Sequence, residues 1–410
     1  MSLRAVPRRA LLGVGVVLVL LVAALLGARA LDPANPVARN AGPSSGPATA
    51  AAPTSTGKGA RPRVLRLVAA GDVLVHPEVT AQARRDAART GRPGGLDFGP
   101  MFAGVAPVVG GADLALCHLE TPLADPAGPF SGYPSFNVPP QVLGGVRQAG
   151  FDGCSTASNH TLDQGPDGVA RTLRALDAAG LGHTGSARSA AEAATPRIYQ
   201  VGGVRVAHLA YSLNFNGLTR PAGQEWLANL IDPPEILAAA RRARAAGADI
   251  VVLSLHWGTE YQHLPDADQQ AWARQLISSP DVDLILGHHA HAVQPFQRFG
   301  DKWVVFGMGN ELARHAEPVA DNREGVMARA TFTEVRPGHW TVTRMEALPT
   351  WTDLAPELRL VDLTAALTHP GTAHPEYRAA YDRVLGYVGA LGVGAQAVAP
   401  DGAPPSTRSR

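Results

Sequence analysis

A chain of 410 residues with 45% hydrophobic and 17% charged content can bury a sizeable core, which excludes a wholly disordered or fibrous protein. Its 36 Lys+Arg against 35 Asp+Glu leave a formal charge of +1, so no overall field recruits nucleic acid. The body also lacks a basic run interleaved with aromatics, and nucleic acid is set aside as a partner.

The chain opens with Arg4, Arg8 and Arg9 and no acid, ahead of an uncharged apolar run from Leu11 to Ala28. Such a run stands at the lower limit for crossing a bilayer, and Ala28-Arg29-Ala30 offers small residues for cleavage. Residues 1–30 therefore fit both a signal peptide and an uncleaved anchor. The reading leans to an anchor with its arginines cytoplasmic, which places the body outside the cell membrane; cleavage would release a secreted protein. Residues 31–63 are rich in Pro, Ala, Ser and Gly and cannot bury enough apolar surface to order themselves, so they read as a tether. Residues 394–410 have the same character and read as a disordered tail.

Between these ends, a main domain over 64–352 and a helical extension over 353–393 are expected. Short apolar runs alternate with Ala/Leu/Arg stretches of helical period, the signature of parallel βαβ units. "VLRLVAAGD", "ADLALCHLE" and "FDGCSTASNH" come first, with "PQVLGGVRQAG" and "PDGVARTLRALDAAG" as helices. "GVRVAHLAYS", "ADIVVLSLHWG" and "VDLILGHHAH" repeat the form, with "PPEILAAARRARAAG" and "DQQAWARQLISS" as crossovers. From about Gln294 strands alternate without helices, and Phe299-Gly300-Asp301 reads as a hairpin turn. The fold class is α/β: a sandwich of two sheets, flanked by helices, with antiparallel strands in its C-terminal part.

Chemistry collects at the carboxyl ends of the parallel runs, where open α/β sheets place their ligands. There stand Asp72, Glu120, Asn159 with His160, His256, and the cluster His288, His289 and His291. Each has an ordinary explanation alone: Asp72 can begin a turn, Asn159 can cap a segment, His256 can pack against Trp257. Their joint arrival at one edge is what a two-ion site requires. Such a site needs bridging carboxylate, terminal imidazoles and neutral oxygen donors, here Asp72 and Glu120, then His256, His289 and His291, then Asn159. A pair of divalent ions lowers the pKa of a bridging water towards neutrality and attracts an anion. His160 is left to act as acid for a leaving oxygen. Alternation along an extended segment would project His289 and His291 to one side and turn His288 towards packing.

Other features carry less. Cys117 and Cys154 each lie in an apolar strand-like run, compatible with one disulfide or with two buried thiols, and lack CxxC spacing. Trp257, Glu260 and Tyr261 follow His256 and are candidates for lining a cleft. Asp163 can orient His160, or serve a helix entry with Pro166 and Asp167.

The motifs "AAGDVLVH", "HLETPL", "ASNHTLDQG", "SLHWGTEY" and "LILGHHAHAVQP", in this order over roughly residues 66–312, resemble those of the CapA family of poly-gamma-glutamate capsule synthesis, similar in fold to calcineurin-like metallophosphoesterases. The resemblance implies metal ligation by Asp72, Glu120, Asn159, His256, His289 and His291, with Asn159 and His160 at the reacting group. It also implies that the Gly-rich turn at Asn310 returns to the site. This chain departs from the broader pattern in three places. Leu74 stands where a ligating His is usual, with His76 two residues beyond; His118 replaces an Asn before Glu120; and Glu311 replaces an aromatic. His76, His118, His288, Glu260 and Asn310 are accordingly further candidates.

Taken together, the expected protein is an exported member of that family with one or two divalent ions, Mn, Fe or Zn. It would hydrolyse a phosphoester in a cell-envelope substrate. Its partners would be that phosphoester or an anionic polymer, the membrane through residues 1–30, and membrane proteins of capsule synthesis. The alternative is a non-catalytic module whose metal-containing cleft holds poly-gamma-glutamate for export or anchoring.

Overall fold

A computed structural model describes residues 62–315, 317, 319–368, 374–392 and 396–397. The expected N-terminal segment over 1–30, the tether over 31–61 and all but two residues of the expected tail lie outside these. Among the described residues no helix is long and apolar enough to cross a membrane.

The chain first lays down four strands, β1 (Val64–Val73), β2 (Leu114–Leu119), β3 (Gly153–Ser155) and β4 (Gly182–Thr184). They pair in parallel in the order β1-β2-β3-β4. A second sheet then forms from β5 (Arg197–Val201), β6 (Val204–Ser212), β7 (Ile250–His256), β8 (Leu284–His288), β9 (Phe296–Phe299) and β10 (Lys302–Val305), in the order β5-β6-β7-β8-β10-β9. The chain finally returns to the first sheet with β11 (Asn310–Leu312), β12 (Glu324–Arg336), β13 (His339–Asp353), β14 (Arg359–Asp362) and β15 (Gln396–Ala397). The two-sheet α/β architecture expected from the alternation is present. The β9–β10 hairpin turns at Gly300, whose φ of 65° suits glycine.

Side-chain alternation along the strands explains the layers. On β1, Leu65, Leu67 and Ala69 face the second sheet, while Val68 and Ala70 face the outer helices. On β7, Ile250 and Val252 join the layer between the sheets, while Val251, Leu253 and Leu255 meet the helices over the second sheet. Each strand buried on both faces is thus a nearly continuous apolar run.

The helices are signalled locally. Pro233–Ala245 buries Ile236, Ala239, Ala240 and Ala243 on one stripe, and Pro at its first turn is tolerated because that N–H would have no intrahelical partner. Ala267–Ile277 begins with a capping box between Asp266 and Gln269.

Several elements were not signalled, among them the helix Pro77–Thr90, β4 and three further strands. β5 pairs antiparallel to β6, and its residues Arg197–Val201 are mostly half-buried, so it lacks the apolar run of an interior strand. β14 lies inside the stretch expected to be helical, ahead of helices Leu363–Thr368 and Pro375–Val388. β15, within the expected tail, pairs with β13. Cys117 and Cys154 are joined by a disulfide between β2 and β3.

Candidate metal centre

The strand ends of both sheets converge. Asp72 ends β1, Glu120 follows β2, Asn159 and His160 lie in the turn after β3, His256 ends β7 and His288 ends β8. β11 crosses against β1, with the Asp72 N–H donating to the Gly309 carbonyl at 2.9 Å. Gly71 makes that approach possible, because a Cβ there would stand 2.2 Å from the same oxygen.

Asp72, Glu120 and His291 bring ligand atoms within 4.8 Å of one another, all three buried. His291 Nδ1 lies 3.4 Å from Asp72 Oδ2, and its Nε2 lies 3.6 Å from Glu120 Oε1. The His256 Nε2 stands 4.0 Å from the same Glu120 oxygen and 2.9 Å from Asn159 Oδ1. The His289 ring centroid is 4.6 Å from that of His256, and among the described residues its buried Nδ1 has no hydrogen-bond partner. One oxygen of Glu120 is therefore approached by both His291 and His256.

Glu120 is 1% exposed, and among the described residues neither carboxylate oxygen has a hydrogen-bond partner. Buried carboxylate oxygens without donors are costly and rare unless a cation completes them. Burial, with Asp72 nearby, pushes Glu120 well above the usual carboxylate range; burial also raises Asp72, opposed by His118 and His291. The imidazoles are held neutral, the state in which they ligate. Burial lowers His291 to about 3 and His289 to about 4, and lowers His256 well below its usual value. Acids that need positive charge, neutral imidazoles and an amide oxygen fit divalent ions.

The remaining candidates have distinct places. His118 donor and acceptor sites are both engaged, Nδ1 with Ser155 Oγ at 2.8 Å and Nε2 with His256 Nδ1 at 2.9 Å. It backs His256. His288 does not turn away into packing: its Nδ1 lies 3.1 Å from Asp72 Oδ1, and its ring stacks on His118 at 4.1 Å. Extended alternation fails here because β8 ends at His288, and His289 and His291 take left-handed backbone at φ 88° and 50°. His289 also donates its backbone N–H to Asp72 Oδ2 at 3.1 Å. Asn310 does return to the centre, its Oδ1 2.9 Å from His291 Nδ1.

His160 Nδ1 is paired with Asp163 Oδ2 at 2.8 Å, and the same oxygen accepts the Phe136 N–H at 2.8 Å. Glu260 is exposed, and Tyr261 is half exposed with its ring 6.1 Å from His291. Trp257 is fully buried, donating from Nε1 to the Phe306 carbonyl, and so serves packing rather than a cleft. Leu74 is core, and His76 lies beside Phe136 and His315 with Nδ1 3.1 Å from the Leu74 carbonyl. Sequence reasoning missed His315, whose ring is 5.2 Å from His291, and Asn216, which accepts from Asn159 Nδ2 at 3.3 Å. Asn216 had a signal: it precedes Gly217 in an Asn-Gly turn and takes φ 50°.

The family model described as bacterial capsule synthesis protein PGA_cap matches residues 66–314. The chain is 30% identical over 174 residues to the capsule biosynthesis protein CapA of Bacillus anthracis, covering 42% of each chain. It is 30% identical over 166 residues to the PGA biosynthesis protein CapA of Bacillus subtilis, covering 40% of this chain and 43% of that one. The match thus spans less than half the length of these relatives. Among solved structures, the calcineurin-like phosphoesterase YfkN from Bacillus subtilis aligns with a TM-score of 0.41 at 12% identity, covering 79% of this chain and 97% of that one.

Proposed function

The chain belongs to the bacterial capsule synthesis protein family PGA_cap, and we propose that it is a metal-dependent hydrolase of a phosphoester in a cell-envelope substrate. We further propose that residues 1–30 carry the body across the membrane and hold it there. The observation that carries the hydrolase reading is Glu120, a buried carboxylate whose oxygens have no hydrogen-bond partner among the described residues and which the imidazoles of His291 and His256 approach. Asp72, Glu120 and His291 would hold one divalent ion, and Glu120, Asn159, His256 and His289 another. Such ions supply Lewis acidity to a phosphoryl oxygen and lower the pKa of water.

The protein's own groups complete the reaction. Asn159 and His160 position the phosphoryl group, and water adds to phosphorus as the ester P–O bond breaks. His160 then gives a proton to the leaving oxygen. With Nδ1 taken by Asp163, Nε2 is the nitrogen left for that oxygen. The Asp163 carboxylate fixes the ring through Nδ1 and so aims Nε2 at that oxygen.

A second reading is favoured by Leu74, which offers no donor where a ligating His is usual and leaves the first set with three protein groups. In it the cleft holds an anionic polymer such as poly-gamma-glutamate without turnover. Incubation of the metal-loaded full chain with bis(p-nitrophenyl) phosphate and with poly-gamma-glutamate separates the two. Chelator-sensitive release of p-nitrophenol supports hydrolysis; polymer binding without any release supports the second reading.

A further inference from the structure

A cavity of ≈740 Å³ opens between β4, β6 and the helix Pro233–Ala245, and none of the proposed metal ligands lines it. Its size lies within the range that small-molecule sites occupy, about 300–1,000 Å³. A smaller cavity of ≈160 Å³ adjoins it, sharing Thr184, Thr195 and Asn229. The connection from Leu213 to Asp232 reaches both regions. Leu213 donates its N–H to the His256 carbonyl and Asn216 meets Asn159, while Trp226, Asn229 and Asp232 line the cavity. A connection that long within a compact domain is usually functional.

Some polar groups at the cavity are already engaged, Asn229 with the Ala210 carbonyl and Thr195 with the Ala191 carbonyl, but three are not. Tyr211 is 5% exposed, yet among the described residues its hydroxyl has no hydrogen-bond partner. Trp226 rests against the core of the first sheet, and no bond engages its indole N–H among the described residues. Asp232 stands at the N-cap of the helix Pro233–Ala245 without capping it. The two arginines, by contrast, are already engaged: Arg220 Nη1 donates to the Glu225 and Ala228 carbonyls, and Arg242 pairs with Glu235 at 2.7 Å. With Glu225 and Asp232 also present, the lining offers a polyanion no free cation cluster.

An aromatic surface flanked by unpaired donors and acceptors, with its two arginines already bonded and outnumbered by Glu225, Asp232 and Glu235, suits a ligand that has apolar ring faces and many hydroxyls. We infer that this cavity binds a neutral oligosaccharide, with one sugar stacked on Trp226 and its hydroxyls bonded to Tyr211 and Asp232. The site is separate from the metal centre, and its occupant differs in kind from the anion expected there.

Calorimetric titration of the full chain with chitotriose, maltotriose and a gamma-linked glutamate oligomer, each with and without chelator, tests this. At least one neutral trisaccharide should bind, and chelator should leave that affinity unchanged even where it abolishes phosphodiester hydrolysis. Trp226→Ala should weaken binding at least tenfold. Tyr211→Phe and Asp232→Asn, which keep the packing, should each weaken it about two- to tenfold, as loss of one hydrogen bond does. Failure of both sugars to bind, binding undiminished in all three variants, or binding of the glutamate oligomer alone would overturn the inference.

Discussion

His118 Nε2 lies 2.9 Å from His256 Nδ1, a buried imidazole-to-imidazole hydrogen bond behind a candidate metal ligand. If His256 Nε2 is to offer its lone pair to an ion, its proton must sit on Nδ1 and be donated to His118. His118 then carries its own proton on Nδ1 and donates it to Ser155 Oγ, 2.8 Å away. Ion binding would thus set one tautomer along three residues from β3 to β7, whereas without an ion the 2.9 Å contact of His256 Nε2 with the Asn159 amide oxygen calls for the opposite one.

Removing that support should loosen the ion without touching a ligand. His118→Ala is expected to lower metal affinity about 10- to 100-fold, the usual cost of losing such a partner. His118→Asn, which restores an acceptor, should recover part of it. Chelator competition on the purified chain measures both.

Glu120→Gln should separate stability from metal binding. The wild-type carboxylate is buried without a donor, so neutralising it should stabilise the metal-free protein by about 1–3 kcal/mol. The same change should abolish the rise in melting temperature that added divalent ion produces in wild type. Thermal melts with and without ion check both signs.

Glu311 predicts a pH dependence of its own. It is fully buried, neither oxygen has a partner among the described residues, and burial with Asp362 nearby pushes its carboxyl up to about 8. The folded state therefore keeps a proton that the unfolded state releases above about 4.5, so this group costs stability as pH rises from 4.5 through 8. Glu311→Gln should match wild type near pH 4 and exceed it by a few kcal/mol above pH 8. Urea midpoints across this range test it; equal midpoints at every pH would contradict it.

The Asp163 contact predicts a kinetic split. His160→Ala should lower kcat about 10²- to 10⁴-fold as a lost acid. Asp163→Asn keeps an acceptor for His160 Nδ1 but replaces a charge-assisted hydrogen bond with a weaker one that orients the ring less firmly, so it should lower kcat by a smaller factor, about tenfold. Neither change should alter metal content or raise KM in proportion.

Much of this was legible in the chain because strand ends are marked by where apolar runs stop. Asp72, Glu120, Asn159, His256 and the histidine cluster all stand at such ends, and the structure brings them together. What failed was the inference about direction beyond an end. His289 and His291 sit in left-handed backbone, which no apolar period reports, so His288 meets Asp72 instead of turning away. His315 carries no strand-end mark at all; it arrives because β11 delivers Asn310 to His291 and the chain continues past the site. β5, only half-buried, showed too little apolar pattern to read.

The most direct test is metal quantification on the purified chain, coupled to phosphodiester hydrolysis by wild type and His160→Ala. The predicted result is close to two divalent ions per chain in both proteins, with hydrolysis lost only in the variant. Fewer than one ion per chain in wild type, or equal hydrolysis by the two proteins, would contradict the proposed mechanism.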